Sequence, residues 1–422
     1  MSNSPIVRDA LDNGLRILTE PMNQVRSISI GVWLTRGSRH ESAERGGIAH
    51  FVEHMLFKGT GTRSAEDIAQ QIDSIGGQLD AFTAKEYASY YIKVLDEHLP
   101  IAVDLLSDML MRPALAPDDI EREKKVIVEE IKMVEDTPDD LVHELFTEHY
   151  WHAHPLGRPI LGTRDTVESF TAPQLRDYFA GAYVASNLIV AAAGNLEHAR
   201  VRALVESAFA SVPATGIGHI DTAPRARPTV LSRTKDLEQS HVCLGTTAYP
   251  QSHEDRFAAF VLNTILGGSI SSRLFQNIRE KRGLAYAVFS GLSAFRDAGM
   301  LTVYAGCANE SVAEVVDLVV DELRLIARDP VSDAELRRAK DHLKGNLMLS
   351  LESTSSRMTH LARQDIYFDR YDTLDDTLAL IEAVTIDDVR RVAREMFLRD
   401  ALAATVIGGR DIDIAPERLR LS

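Results

Sequence analysis

Alternation of apolar and polar residues predicts strands near the start of the chain, at 6–9, 15–19 and 27–35. The third sets Ile28, Ile30, Val32 and Leu34 on one face. Asp12-Asn13-Gly14 falls between the first two and fits a hairpin turn. At Ile48 the period changes from two to that of a helix, and helices dominate to about Leu145. A two-stranded hairpin at 78–95 interrupts them. The helix entering that hairpin begins at Ser64, whose Ser64-x-x-Asp67 spacing can cap its N-terminus, and Gly76-Gly77 ends it. A short apolar strand at 187–193 turns through Gly194-Asn195 into a helix at 196–209.

The stretch 213–218, continuing to 224–228, is rich in Pro and Gly and poor in apolar residues, which makes it the best linker. Beyond it the order repeats. Strands are expected at 239–247, 285–293 and 299–306, helices at 255–266, 310–327, 333–351, 353–368 and 387–397, and a last strand at 401–407. Ser332-x-x-Glu335 has the spacing of a capping box. The pattern therefore predicts two α+β domains of ~200 residues, 1–212 and 231–422, joined by a linker at 213–230.

Composition narrows the class. An apolar content of 45% supplies a large core, and the formal net charge of −16 disfavours nucleic acid and anionic membrane surfaces as partners. Such a charge weakly favours basic peptides, though a solubilising surface is the better account of it. No run approaches the ~18 apolar residues of a membrane span. The N-terminal residues carry neither a hydrophobic signal region nor an Arg-rich transit sequence, so a cytoplasmic location is expected. Cys243 and Cys307, the only two cysteines, sit in apolar strand-like runs without metal-type spacing.

Candidate chemistry sits in the first helix. Gly46-Gly47 precedes it, Gly59-Thr60-Gly61 closes it, and Ile48, Ala49, Phe51, Val52, Met55, Leu56 and Phe57 make it too apolar to be anything but buried. Within it lie His50, Glu53 and His54. Two histidines at i and i+4 share one face and can reach a single metal ion. Buried polar groups need partners, and these could be backbone carbonyls for two core histidines or a metal for the pair. Two His with a Glu at this spacing favour zinc. A third ligand is expected from the acid-rich helix at 118–132. There Glu123 and Glu130, seven residues apart, face the same way, with Val126 and Ile127 between them on what should be the buried face. Glu129 is turned about 100° away.

The H-x-x-E-H order of His50, Glu53 and His54, with Glu130 about 75 residues further on, resembles the pitrilysin (inverzincin) zinc metallopeptidases, in their short, processing-peptidase-like bacterial branch. The resemblance implies one zinc per chain held by His50, His54 and Glu130. It implies Glu53 as general base and Glu123 as a carboxylate that steadies the ligands from behind. The stretch 272–286 is similar to the family's Arg-x6-Tyr segment, which gives Arg279 a role in substrate binding and Tyr286 one in stabilising the oxyanion. The first strand of the 78–95 hairpin matches the edge strand that pairs with substrate in the family, which makes Asp80, Ala81 and Phe82 substrate-binding. Asp80 stands where many members have Asn and Ala88 where many have Thr. Asp80 keeps an acceptor but lacks the amide donor.

The fold implied is α+β, with two similar domains, each a mainly antiparallel sheet packed with helices, facing each other across a cavity. The resemblance implies that the second domain is an inactive duplicate that closes over the first. The activity implied is that of an endopeptidase acting on peptides or unfolded proteins, with a homodimer plausible for this branch. The rival from another class is a non-catalytic structural or partner subunit, which the intact His50, Glu53, His54 and Glu130 argue against. Arg279 and Tyr286 in the same chain argue against a half-enzyme. His143, His149, His152 and His154 form a further cluster, but their irregular spacing and Pro155 point to a loop without a metal role.

Overall fold

The fold is given by a computed structural model, which describes residues 6–216, 222–368, 370–397, 402–410, 412 and 414–421. Part of the expected linker (217–221) and Ala401, where the last strand was expected to start, lie outside the described residues.

The first sheet is built from β1 (Val7–Ala10), β2 (Arg16–Pro21), β3 (Ser27–Leu34), β4 (Gln78–Thr83), β5 (Ala88–Leu95) and β6 (Leu188–Gly194). Its order is β1-β2-β6-β3-β5-β4, antiparallel throughout except for the parallel pair β2 and β6. The central strand β3 faces both ways. Ile28, Ile30, Val32 and Leu34 join a core that includes the helix Ile48–Leu56. On the other face, Trp33 packs with Met358 and Leu361 of the helix Thr354–Phe368, and the Ser29 hydroxyl lies 2.8 Å from that of Thr354. The expected alternation thus describes one face correctly, while a helix from the far end of the chain covers the second.

The second sheet contains β7 (Val230–Thr234), β8 (Gln239–Ala248), β9 (Ala285–Ala294), β10 (Gly299–Ala308) and β11 (Ala403–Gly408) in the order β7-β11-β8-β10-β9. One face carries the helices Arg256–Leu266, Val312–Arg328 and Ile386–Phe397. The other is covered by the helix Pro138–Tyr150, whose Val142, Phe146 and Tyr150 pack with Met300, Tyr304, Ala403 and Ile407. Phe146 lies so close to β8 that a Cβ at Gly245 would come within 2.5 Å of its ring, so only glycine leaves room there.

These packings decide how the chain divides. One compact unit comprises Met1–Lys132, Arg158–Asp221 and Ser350–Tyr371, and the other Met133–Gly157, Thr222–Leu349 and Asp372–Ser422. This is a different partition from 1–212 and 231–422, since 133–157 belongs with the second sheet and 350–371 with the first. The physical reason is burial. The apolar faces of the two helices concerned find their complement on the sheet of the opposite half.

Several elements depart from the sequence expectation. β7 begins at Val230, inside the expected linker, and the helices Ala172–Ala182 and Leu374–Ala383 were not expected. The capping box at Ser332 and Glu335 forms as anticipated: the Ser332 N–H donates to Glu335 Oε2 at 3.0 Å and the Glu335 N–H to Ser332 Oγ at 3.3 Å. Among the described residues, no helix is long and apolar enough to cross a membrane.

Candidate metal centre

The helix Ile48–Leu56 is fixed at its start by two devices. Gly47 caps it with φ +92°, and a side chain there would meet the Leu161 carbonyl oxygen at 2.5 Å. The buried Glu41 carboxylate accepts the N–H groups of Gly47 and Ala49, each at 2.8 Å, and so satisfies donors that a helix start leaves free. Burial nevertheless pushes the Glu41 carboxyl up to about 8. Ile48, Phe51, Val52, Met55 and Leu56 face the core, and this rigid seat leaves His50 and His54 on the remaining face.

Glu123 and Glu130 come from the helix Pro117–Asp136. Here the structure corrects one expectation. Ile120, Glu123 and Ile127 are buried, but Val126 is 44% exposed. The buried stripe is narrower than anticipated and lies toward Ile120 and Ile127. Glu130 stands at its edge with a side chain 35% exposed, where a ligand carboxylate keeps access to solvent. Glu129 points away and pairs with Lys132 at 2.7 Å.

His50 and His54 have ring centroids 4.5 Å apart. His50 Nε2 lies 3.8 Å from Glu130 Oε2, and His54 Nε2 lies 3.6 Å from Glu130 Oε1. One donor atom from each residue can be chosen so that all three lie within 4.8 Å of one another. Tetrahedral zinc, with bonds of about 2.0–2.2 Å, places ligand atoms roughly 3.3–3.5 Å apart. Two imidazoles and one carboxylate at these separations fit zinc with small adjustments and leave a fourth position for water or substrate. Among the described residues this is the one such group of three or more His, Cys, Asp or Glu.

Electrostatics match that use. Burial, and then the neighbouring His54 ring, hold the His50 pKa down to about 3, so its imidazole is neutral, as a ligand must be. His54 Nδ1 lies 3.1 Å from Glu123 Oε2. A carboxylate only accepts, so the proton belongs on Nδ1 and the Nε2 lone pair faces Glu130. The Glu123 carboxylate is held from its other side by Lys58 at 2.7 Å. Glu53 is buried, which raises its pKa, while a hydrogen bond from Thr83 works in the opposite direction.

β4 is the terminal strand of its sheet, so one of its edges carries no neighbouring strand among the described residues. Asp80 pairs with Tyr91, and its carboxylate accepts the Tyr91 hydroxyl at 3.1 Å and the Ala81 N–H at 2.8 Å. Phe82 stands edge-on to Trp33, with ring centroids 5.7 Å apart. Arg279 and Tyr286 belong to the second unit and form a pair of their own. The Arg279 guanidinium lies 4.7 Å from the Phe275 ring centroid and 5.3 Å from that of Tyr286, and Tyr286 is 79% exposed at the edge strand β9. Of the clustered histidines, His143, His149 and His154 have separate partners. His143 lies against Cys243 and Tyr304, His149 against Thr229, and His154 against the Thr222 carbonyl. Cys243 and Cys307 are free, buried thiols.

Sequence reading missed Glu41, Lys58 and Thr83. Lys58 carried a usable signal, since it follows His54 by four residues. Glu41 and Thr83 act through loop and strand geometry that no spacing rule reports.

Most of the chain is similar to known proteins. The model for "Insulinase (Peptidase family M16)" matches residues 16–164, and that for "Peptidase M16 inactive domain" matches 169–343. The chain is 42% identical to an uncharacterized zinc protease of Bacillus subtilis, over 95% of this chain and 98% of the relative. It is 44% identical to one of Mycobacterium bovis, over 95% and 92%. Among solved structures, a protease from Helicobacter pylori superposes with a TM-score of 0.87 at 24% identity, covering 96% of this chain and 99% of that one. A structure described as a peptidase M16 inactive domain, from Pseudomonas fluorescens, gives 0.91 at 20%, covering 97% and 99%. At such identities the two structures speak for the fold alone.

Proposed function

The chain belongs to the M16 (insulinase) peptidase family, and from that premise we propose that it is a zinc-dependent endopeptidase that cleaves extended or unfolded peptides. The observation that carries this reading is the convergence of His50, His54 and Glu130, with the buried Glu53 one residue away from a ligand. His50, His54 and Glu130 would hold the zinc, and zinc supplies a Lewis acid that makes water nucleophilic near neutral pH and polarises the scissile carbonyl. Glu53 accepts the proton from the attacking water and returns it to the leaving amine. Burial raises its pKa, which strengthens it as a base. Thr83 fixes which oxygen of Glu53 is free.

Substrate selection follows from β4. An extended peptide adds to a free strand edge through backbone hydrogen bonds, with Asp80, Ala81 and Phe82 alongside it. Such a site reads backbone more than sequence and takes segments that are not already folded. Arg279 and Tyr286 keep the roles implied by the family motif, substrate binding and a hydrogen bond to the oxyanion, and the exposure of Tyr286 is compatible with them. The test is digestion of an unstructured peptide library by the zinc-loaded chain, with and without a chelator, beside a tightly folded protein. The reading expects cleavage within peptides that stops on chelation and spares the folded protein. Cleavage indifferent to chelation, or none at all, would contradict it.

A further inference from the structure

Lys58 lies just beyond the helix Ile48–Leu56, and its N–H bonds back to the Met55 carbonyl at 3.1 Å. It follows His54 by four residues, and both side chains meet one carboxylate. Glu123 Oε2 faces His54 Nδ1 at 3.1 Å, while Glu123 Oε1 faces Lys58 Nζ at 2.7 Å. The Glu123 side chain is 5% exposed and that of Lys58 34%. Among the described residues, Lys58 is the one Lys or Arg within ion-pair distance of Glu123.

We infer that Lys58 is a positioning residue for the metal centre: it locks the Glu123 carboxylate so that His54 presents Nε2 to zinc. This rests on the zinc reading of the site. A carboxylate is planar, so fixing Oε1 fixes the direction of Oε2. Both oxygens are then assigned, one to the ammonium and one to the imidazole N–H. Remove the ammonium and Oε1 is left buried without a partner or a counter-charge, an expensive state that rotation of the group can relieve. Rotation takes Oε2 away from Nδ1. His54 then loses the bond that sets its tautomer and ring angle, and partners of that kind typically govern metal affinity by 10–100-fold. A competing role for Lys58 is to offset the partial negative charge at the helix C-terminus, where cations are generally favourable. That role does not pass through Glu123, which makes the two separable.

The experiment measures zinc affinity of the full chain by competition with a chromophoric chelator, and needs no substrate. Lys58→Met should weaken zinc binding by roughly ten- to a hundredfold in a chain that still folds, as its circular dichroism shows. Lys58→Arg, which keeps the charge and the donors, should restore most of the affinity. The decisive variant is Lys58→Met combined with Glu123→Gln, which should bind zinc no more weakly than Glu123→Gln alone. Wild-type affinity in Lys58→Met would overturn the inference. So would a loss that adds in full to that of Glu123→Gln, since Lys58 would then act at the helix end. If the unaltered chain bound no zinc, the reading of the site itself would fall, and this inference with it.

Discussion

The hydroxyl of Thr83 donates to Oε2 of Glu53, tying the last residue of β4 to the carboxylate between the two histidines. The strand edge proposed to hold the substrate and the group proposed to activate water are therefore joined by a direct hydrogen bond. Hydrogen bonds to charged groups contribute about 1.5–3 kcal/mol. Thr83→Val should accordingly lower kcat by roughly tenfold or more, with zinc content unchanged, and Thr83→Ser should recover most of it. Steady-state kinetics decide the point, and a Val variant within twofold of the parent would detach Thr83 from the base.

Glu53→Gln separates base from ligand. The amide is nearly isosteric and leaves His50, His54 and Glu130 in place, but it cannot take a proton from water. The expected result is full zinc content with activity reduced by about 10²–10⁴. Peptidase activity within threefold of the parent would show that Glu53 has another task.

Tyr286→Phe removes one exposed hydroxyl and leaves the ring that stacks near Arg279. If that hydroxyl bonds the oxyanion, kcat should fall by about 10²–10³, with zinc content and KM little changed. Arg279→Ala should act more on KM, because a ground-state contact contributes before the transition state. Full activity in Tyr286→Phe would remove it from the chemistry.

The second unit offers a pH-dependent test of its own. Burial pushes the Glu335 carboxyl up, but Arg273 at 2.8 Å and the N–H and hydroxyl of Ser332 hold it down to about 2. A folded-state pKa below the ordinary Glu value of about 4.3 stabilises the fold above that value. The contribution is lost as pH falls through about 2. Glu335→Gln should therefore cost stability at about pH 6.5 and progressively less toward about pH 3. Chemical denaturation at both values measures this, and an equal cost at each would contradict the assigned shift.

How much of this was legible in the sequence depends on how local each feature is. The alternation at 27–35 and the histidine spacing are properties of a few neighbouring residues, and the structure has β3 at Ser27–Leu34 and both histidine rings side by side on one helix. The partner of a helix face is not local. Nothing in the pattern of 138–150 or 353–368 says which sheet will cover it, so the exchange of helical segments between the halves was invisible. Val126 shows the limit of periodicity even within one helix. It is apolar, yet exposed, because the buried stripe of its helix runs through Ile120, Glu123, Ile127 and Val128 and leaves it to one side. β7 was hidden beside the Pro-rich stretch, since its five residues pair in parallel with β11, nearly at the chain's other end.

Whether His50, His54 and Glu130 bind one catalytic zinc is decided by metal analysis of the purified chain. One zinc per chain is expected in the unaltered protein. A His50→Ala, His54→Ala double variant should hold none while keeping its secondary structure, because both cores lie outside the site. Stoichiometric zinc retained in that folded double variant would contradict it.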